Sequence, residues 1–172
     1  MTSGGPADRP PMPVLKGLVP IPTYRDQPAT PASNLSGVDL SGAPVHIPVL
    51  GTATWTLLLF LSSGCHGCGD MWEALADPVG AGLATDEGVV AVTHGPAYED
   101  VAALGQLAPT PVAGTELVVM ADEAWSAYRV QGPPFFVLVD GTADRVVTEG
   151  VAWGVSQVAE HIRSARQFQG PG

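Results

Sequence analysis

The stretch that most constrains the fold of this chain is residues 57–72, which reads LLLFLSSGCHGCGDMW and holds the only two cysteines. An apolar run leads into the cysteines, an amphipathic run leads out, and a Gly/Ser turn lies between them. That order predicts a buried strand, a tight turn and then a helix. Cys65 is therefore expected where the helix begins, with Cys68 one turn further along the same face.

The expected position of Cys65 suggests an activated thiol. Unpaired backbone N–H groups and the positive end of a helix dipole would stabilise its thiolate, lower the pKa of the thiol and make it nucleophilic near neutral pH. Cys68 is close enough to form a disulfide with it. A disulfide between them would close a very short loop and add little stability to the fold, so redox or metal chemistry is favoured over a structural bridge. The chemistry suggested is thiol–disulfide exchange.

The charge balance excludes several kinds of partner. The formal net charge is −10, and the single lysine, Lys16, lies near the N-terminus. Nucleic acids and anionic membranes require clustered Lys and Arg, so neither is expected as a partner. No run approaches the roughly 18 apolar residues of a transmembrane segment, and the first residues lack the pattern of a secretory signal. As written, we expect a soluble monomer; its compartment stays open, cytoplasmic or, if an anchor was removed, extracytoplasmic.

The composition divides the chain into two parts. Residues 1–36 hold eight of the 17 prolines, which disfavour helix and sheet, so an extended or disordered arm is expected there. Residues 37–168 are expected to form one folded domain, large enough to bury a core.

The domain is predicted to alternate strands and helices. Pro44 and Pro48 limit residues 37–50 to a strand or hairpin at a sheet edge. Apolar runs and helical periodicity then predict strand 54–61, helix 65–76, strand 89–93, helix 96–107, strand 116–120, helix 121–128, a strand within 130–141, its hairpin partner 145–151, and helix 154–167. The order β-α-β-α-β-α-β-β-α predicts an α/β fold with a central mixed β-sheet flanked by helices.

Two segments resemble the thioredoxin superfamily. One is Phe60–Cys68 before a helix, and the other is Gly132–Gly141, with the sequence GPPFFVLVDG, before a hairpin. The chain most resembles the TlpA-like redoxin branch, because it has additional βα elements and the segment LSGAPV at residues 40–45. The members of that branch are extracytoplasmic thiol–disulfide oxidoreductases of bacteria, which help cytochrome c maturation and keep related thiols reduced. The resemblance covers about residues 37–166 and implies a thioredoxin-like fold.

The resemblance also implies roles for individual residues. Cys65 would be the attacking thiolate and Cys68 the resolving one, together a redox disulfide. Pro134 would match the cis-proline that faces the disulfide across the groove, and Gly64 and Pro133 would border the bound substrate. That substrate would be a protein dithiol or disulfide, and an upstream redox partner would regenerate the pair. Neither a cofactor nor a metal is expected.

Three positions depart from the pattern of the superfamily. A buried carboxylate often lies six residues before the first cysteine, where this chain has Leu59, and the usual Trp directly before that cysteine is Gly64. The residue before the cis-proline normally offers both N–H and C=O to a substrate strand, but Pro133 has no N–H. We therefore expect weaker or narrower peptide binding than in a general-purpose thioredoxin.

Several side chains near the cysteines have two interpretations. His66 follows the nucleophile directly and would stabilise its thiolate as a cation or relay a proton as a neutral ring; otherwise it is a solvated side chain without a role. Asp70 and Glu73 are expected to stabilise the start of the helix rather than to act as acid or base. Trp125 and Tyr128 are expected in the core, with the wall of the groove as the alternative.

Two other functions remain open. Soft thiolates suit Cu(I), so a copper carrier could use both cysteines and one histidine, whereas structural zinc would need further ligands that the sequence does not supply. A peroxiredoxin-like thiol peroxidase needs a Pro and a Thr or Ser upstream of its cysteine. Ser62 lies three residues before Cys65, but Leu58 occupies the expected Pro position.

Overall fold

The computed structural model describes residues 29–86, 88–111 and 117–168. Within these ranges it has seven strands and four α-helices, which follow one another as β1 (Leu35–Val38), β2 (Pro44–Ile47), β3 (Trp55–Phe60), α1 (Gly69–Ala74), β4 (Gly88–Thr93), α2 (Val101–Leu107), β5 (Val118–Met120), α3 (Asp122–Ala127), β6 (Phe135–Asp140), β7 (Arg145–Val151) and α4 (Val155–Phe168). No helix of the described ranges is long and apolar enough to cross a membrane.

The strands form one mixed sheet in the order β2-β1-β5-β4-β3-β6-β7. The neighbours β3, β4 and β5 are parallel, whereas β6 runs antiparallel to β3 and pairs with β7 as a hairpin. Every residue of β3 is buried, as expected of a strand covered on both faces. The predicted α/β architecture with a mixed sheet and flanking helices is therefore confirmed.

The sheet separates two apolar cores, which explains why β3 is so firmly placed. Leu57 and Leu59 point into the core that also contains apolar residues of α1, α2 and α4. Leu58 and Phe60 alternate to the other face, where they pack with apolar residues of α3. The strand that leads into the cysteines is thus held from both sides.

Two helices differ from the sequence prediction. The predicted helix 65–76 is a 3₁₀ turn at His66–Cys68 followed by the short α1. The predicted helix 96–107 begins only at Val101, because the Asp100 side chain caps it by accepting a hydrogen bond from the Ala103 N–H at 3.0 Å. The edge segment predicted as a strand or hairpin is a hairpin: β1 and β2 pair antiparallel and β2 lies at the edge of the sheet, but β1 begins at Leu35, two residues before the predicted start.

The predicted arm over residues 1–36 lies mostly outside the described residues. Its last part lies against the domain: the Thr30 hydroxyl donates to Glu149, the Tyr128 hydroxyl donates to the Ser33 carbonyl, and Leu35 is fully buried at the start of β1. Prolines disfavour helix and sheet but do not prevent an extended chain from packing, so the packed part reaches back at least to Thr30. The division into arm and domain stays a prediction.

Candidate active site

The cysteines follow the carboxyl end of β3. The Leu61 N–H donates to the Val92 carbonyl at 3.0 Å, so the chain stays tied to β4 for one residue beyond the strand. It then turns through Ser62, whose hydroxyl accepts from the Gly64 N–H at 3.2 Å and whose carbonyl accepts from the Cys65 N–H at 3.4 Å. After this turn, Cys65 has an extended backbone conformation and directly precedes the 3₁₀ turn His66–Cys68.

Cys65 and Cys68 are joined by a disulfide, with their Cα atoms 5.5 Å apart. The two residues differ in environment: Cys65 is partly exposed, whereas Cys68 is fully buried in the core that contains α1. An incoming thiol or disulfide therefore has access to Cys65 first. This asymmetry suits an attacking and a resolving cysteine.

The helix behind the pair is shorter than the sequence suggested. Cys68, rather than Cys65, precedes α1, which has six residues. Since a helix dipole acts mainly at its terminal turn and Cys65 lies one 3₁₀ turn before α1, the helix can stabilise a Cys65 thiolate less than expected. His66 is exposed beside Cys65, and no hydrogen-bond partner of its ring is found among the described residues.

The opposite wall of the site is the Pro133–Pro134 segment, whose peptide bond is cis. A Cβ added to Gly67 would lie 3.7 Å from the Pro134 Cδ, so the ring of Pro134 packs against the turn between the cysteines. The Pro134 carbonyl accepts a hydrogen bond from the Ala152 N–H at 3.0 Å, which ties this wall to the end of β7. The structure thus places Pro134 against the turn that joins Cys65 and Cys68.

A buried carboxylate lies beside the site, and sequence reasoning missed it. One oxygen of Glu99, a residue only 7% exposed, accepts from the Ser63 N–H at 2.9 Å and from the Ser63 hydroxyl at 2.6 Å. The Ser63 hydroxyl in turn accepts from the Asp100 N–H at 3.2 Å. The sequence offers one signal for this contact: Glu99 follows a predicted buried strand, as the cysteines do. Because β3 and β4 are parallel, the residues that follow them lie at the same edge of the sheet.

A second polar cluster lies at the same edge of the sheet. His94, just beyond β4, stacks on Trp125 with ring centroids 4.1 Å apart, and its Nδ1 lies 2.8 Å from the Asp122 carboxylate. The Gly95 N–H, and then His94, hold the pKa of Asp122 below its ordinary value by stabilising the charged form. Trp125 and Tyr128 are both buried, so their predicted place in the core is confirmed.

The remaining predicted residues are at the surface of the site. Gly64 and Pro133 are exposed, as are Asp70 and Glu73 on α1. Within the described residues, no three or more His, Cys, Asp or Glu side chains are arranged to hold a metal ion.

Fold and disulfide together define a class: an α/β protein of thioredoxin-like fold with a CxxC pair after its central strand. No family model and no curated protein matches the sequence. Solved structures do match, among them a putative thioredoxin from Neisseria meningitidis, with 19% identity over 83% of this chain and 94% of that one and a TM-score of 0.55.

Two further structures bear names that concern disulfide chemistry. A secreted Mycobacterium tuberculosis disulfide oxidoreductase homologous to E. coli DsbE is 20% identical, covering 75% of this chain and 94% of its own, with a TM-score of 0.53. A putative thiol:disulfide interchange protein DsbE from Chlorobium tepidum is 20% identical, covering 80% and 96%, with a TM-score of 0.58. The thioredoxin-like fold that was predicted is thus confirmed.

Proposed function

We propose that this chain is a thiol–disulfide oxidoreductase that exchanges the Cys65–Cys68 pair with a partner protein through a mixed disulfide at Cys65. The observation that carries the proposal is the unequal exposure of the two bonded cysteines, with Cys65 partly exposed and Cys68 fully buried. The names of the solved neighbours, which include a disulfide oxidoreductase and a thiol:disulfide interchange protein, support the same chemistry.

The exchange has two steps. In the reduced form the Cys65 thiolate attacks one sulfur of the partner disulfide; a bond forms between the proteins, and the other partner sulfur leaves and takes up a proton. Cys68 then loses its proton and attacks the Cys65 sulfur, which breaks the mixed disulfide and releases the second partner thiol. Two electrons pass to the partner, and an upstream redox protein restores the dithiol. The same steps in reverse oxidise a partner dithiol.

The partner segment is expected to lie along Pro133 and Pro134. Pro133 is exposed and offers its carbonyl, but it has no N–H to donate to a substrate strand. The loss of one backbone hydrogen bond, typically about 0.5–1.5 kcal/mol, favours partners that bind through side chains. Reduction of insulin disulfides should therefore be slower than by a general-purpose thioredoxin, and equal turnover would contradict this.

A redox titration tests the activity itself. Equilibration with glutathione buffers, followed by trapping and counting of free thiols, should show a two-electron couple for the wild-type chain and none for Cys65→Ser. A Cys68→Ala variant should accumulate mixed disulfides with its partners, because the resolving thiol is missing. If the wild-type chain shows no measurable dithiol–disulfide couple, the proposed function is wrong.

A further inference from the structure

An exposed tryptophan, Trp153, lies next to the wall formed by the cis-proline. The register of the hairpin pairs Val151 with Phe135, and the next residue, Ala152, donates its N–H to the Pro134 carbonyl at 3.0 Å. Trp153 follows directly, and its side chain is 84% exposed. A large exposed ring next to this wall is therefore available to a molecule that binds along Pro134.

The backbone that carries this ring is held in place. The Gln157 side chain accepts from the Trp153 N–H at 2.8 Å and donates to the Val151 carbonyl at 3.1 Å. Val151, two residues away, is itself 41% exposed. Exposed Trp on ordered backbone is typical of binding surfaces, because little conformational freedom is lost when a partner covers it.

The surface next to Trp153 is acidic. A groove of about 530 Å³ runs between α1 and the start of α4, and its lining includes Asp70, Glu73 and Asp77 but no Lys or Arg. Gly154, the residue after Trp153, lines the same groove. The described ion pairs do not involve Asp70 or Glu73. The exposed Trp153 is thus the direct chain neighbour of a residue that lines the acidic groove.

We propose that Trp153 and this acidic groove are the docking surface for the partner's polypeptide next to its reactive cysteine, and that the docked segment carries Lys or Arg. This rests on the proposed function, since Trp153 directly follows the residue that bonds to Pro134. A cation can lie on the face of an indole ring, and three nearby carboxylates favour the same charge. Because Pro133 donates no N–H, such side-chain contacts provide the selectivity.

Matched model substrates test the proposal. We would use two cyclic disulfide peptides of equal ring size, one with lysines and one with glutamates beside the cysteines, and the small neutral hydroxyethyl disulfide. Reduced protein should react with the lysine peptide about tenfold faster than with the glutamate peptide at low salt. The difference should close at roughly 1 M salt, where charges are screened beyond about 3 Å.

Variants identify the residues responsible. Trp153→Ala should slow the lysine peptide about fivefold, consistent with a cation–π contact, while Trp153→Phe restores part of the rate. Asp70→Asn combined with Glu73→Gln should reduce the preference for the lysine peptide. Phe168→Ala is the matched control, because Phe168 is 91% exposed at the far end of α4.

Each outcome separates the docking surface from the activity. If hydroxyethyl disulfide is not exchanged, the proposed function fails. If it is exchanged but both peptides react equally and Trp153→Ala changes nothing, only the docking proposal is overturned. A dimer that Trp153→Ala converts to a monomer would assign this surface to a second copy of the chain, which also overturns the proposal.

Discussion

At the scale of single residues, the surroundings of Cys65 determine how readily its thiol ionises. The short α1 offers limited help, so a nearby cation would have more influence. His66 is the neighbour that can supply it. We predict that His66→Ala raises the pH midpoint of Cys65 alkylation by about 0.5 unit, which corresponds to a modest exposed charge interaction. His46→Ala, on the edge hairpin, is the control, and equal midpoints for His66→Ala and wild type would remove His66 from the mechanism.

Glu99 acts on the same loop with the opposite charge. Its carboxylate holds Ser63, two residues before Cys65, so it both fixes the loop and disfavours a thiolate nearby. Glu99→Gln keeps an oxygen acceptor but removes the charge, so the alkylation midpoint of Cys65 should fall. Glu99→Ala removes the acceptor as well and should also destabilise the fold by about 1–3 kcal/mol in urea unfolding.

The control for these variants is Glu123→Gln, an exposed carboxylate on α3. An unchanged alkylation midpoint in Glu99→Gln would limit Glu99 to a structural role.

At the scale of elements, Asp122 joins the start of α3 to the end of β4. It accepts the Gly95 N–H at 3.0 Å and contacts His94, which keeps its pKa below the ordinary value of 3.8. A carboxyl group whose pKa is lowered by folding stabilises the fold above its unfolded pKa, and this contribution disappears as pH falls through the folded value. Asp122→Asn should therefore lower the urea midpoint at pH 7, with a gap that narrows towards about pH 3.

The expected loss at neutral pH is small, less than about 1 kcal/mol, since the Asp122 side chain is 50% exposed and solvent screens its interactions. A gap that stays constant from pH 7 to about pH 3 would show that packing, rather than charge, explains the loss.

Elements with strong local signals were predictable from the sequence. The hairpin Phe135–Asp140 and Arg145–Val151 combines an apolar strand with a turn and a mixed second strand, and the apolar stripe of α4 is repeated at helical spacing. The start of α2 was missed because capping by Asp100 outweighs the earlier Pro96 as a helix start. A helix boundary that depends on one side-chain hydrogen bond cannot be recognised from the spacing of apolar residues.

The candidate site was predictable to the extent that it is local or resembles a known motif. Cys65, Cys68 and Pro134 carry the motif, whereas Glu99 and Trp153 reach the site only through the pairing of strands distant in sequence. Glu99 lies 36 residues from its partner Ser63, and nothing in the spacing connects them. The contacts of the site that depend on the order of the strands in the sheet could therefore not be predicted from the sequence.

At the scale of the whole molecule, stability and redox direction are linked. Suppose that the oxidised chain is more resistant to unfolding than the reduced chain. Forming the disulfide is then more favourable in the folded protein than in an unfolded CxxC segment, so the folded dithiol is a stronger reductant than the unfolded one. Glu99 binds Ser63 just before the pair, Asp70 and Glu73 lie on the helix just after it, and the histidine His66 lies between the two cysteines. This charge distribution disfavours a thiolate in the reduced form.

We therefore predict that the oxidised chain unfolds at a higher urea midpoint than the reduced chain, and that the protein acts as a reductant of partner disulfides. Because the disulfide closes a tiny loop, its direct effect on the unfolded chain is small, so the difference reports mainly on the folded site. Glu99→Gln should narrow the gap by removing one negative charge. A reduced chain more stable than the oxidised one would reverse the predicted direction and make the protein an oxidant, with the helix end and His66 outweighing the surrounding carboxylates.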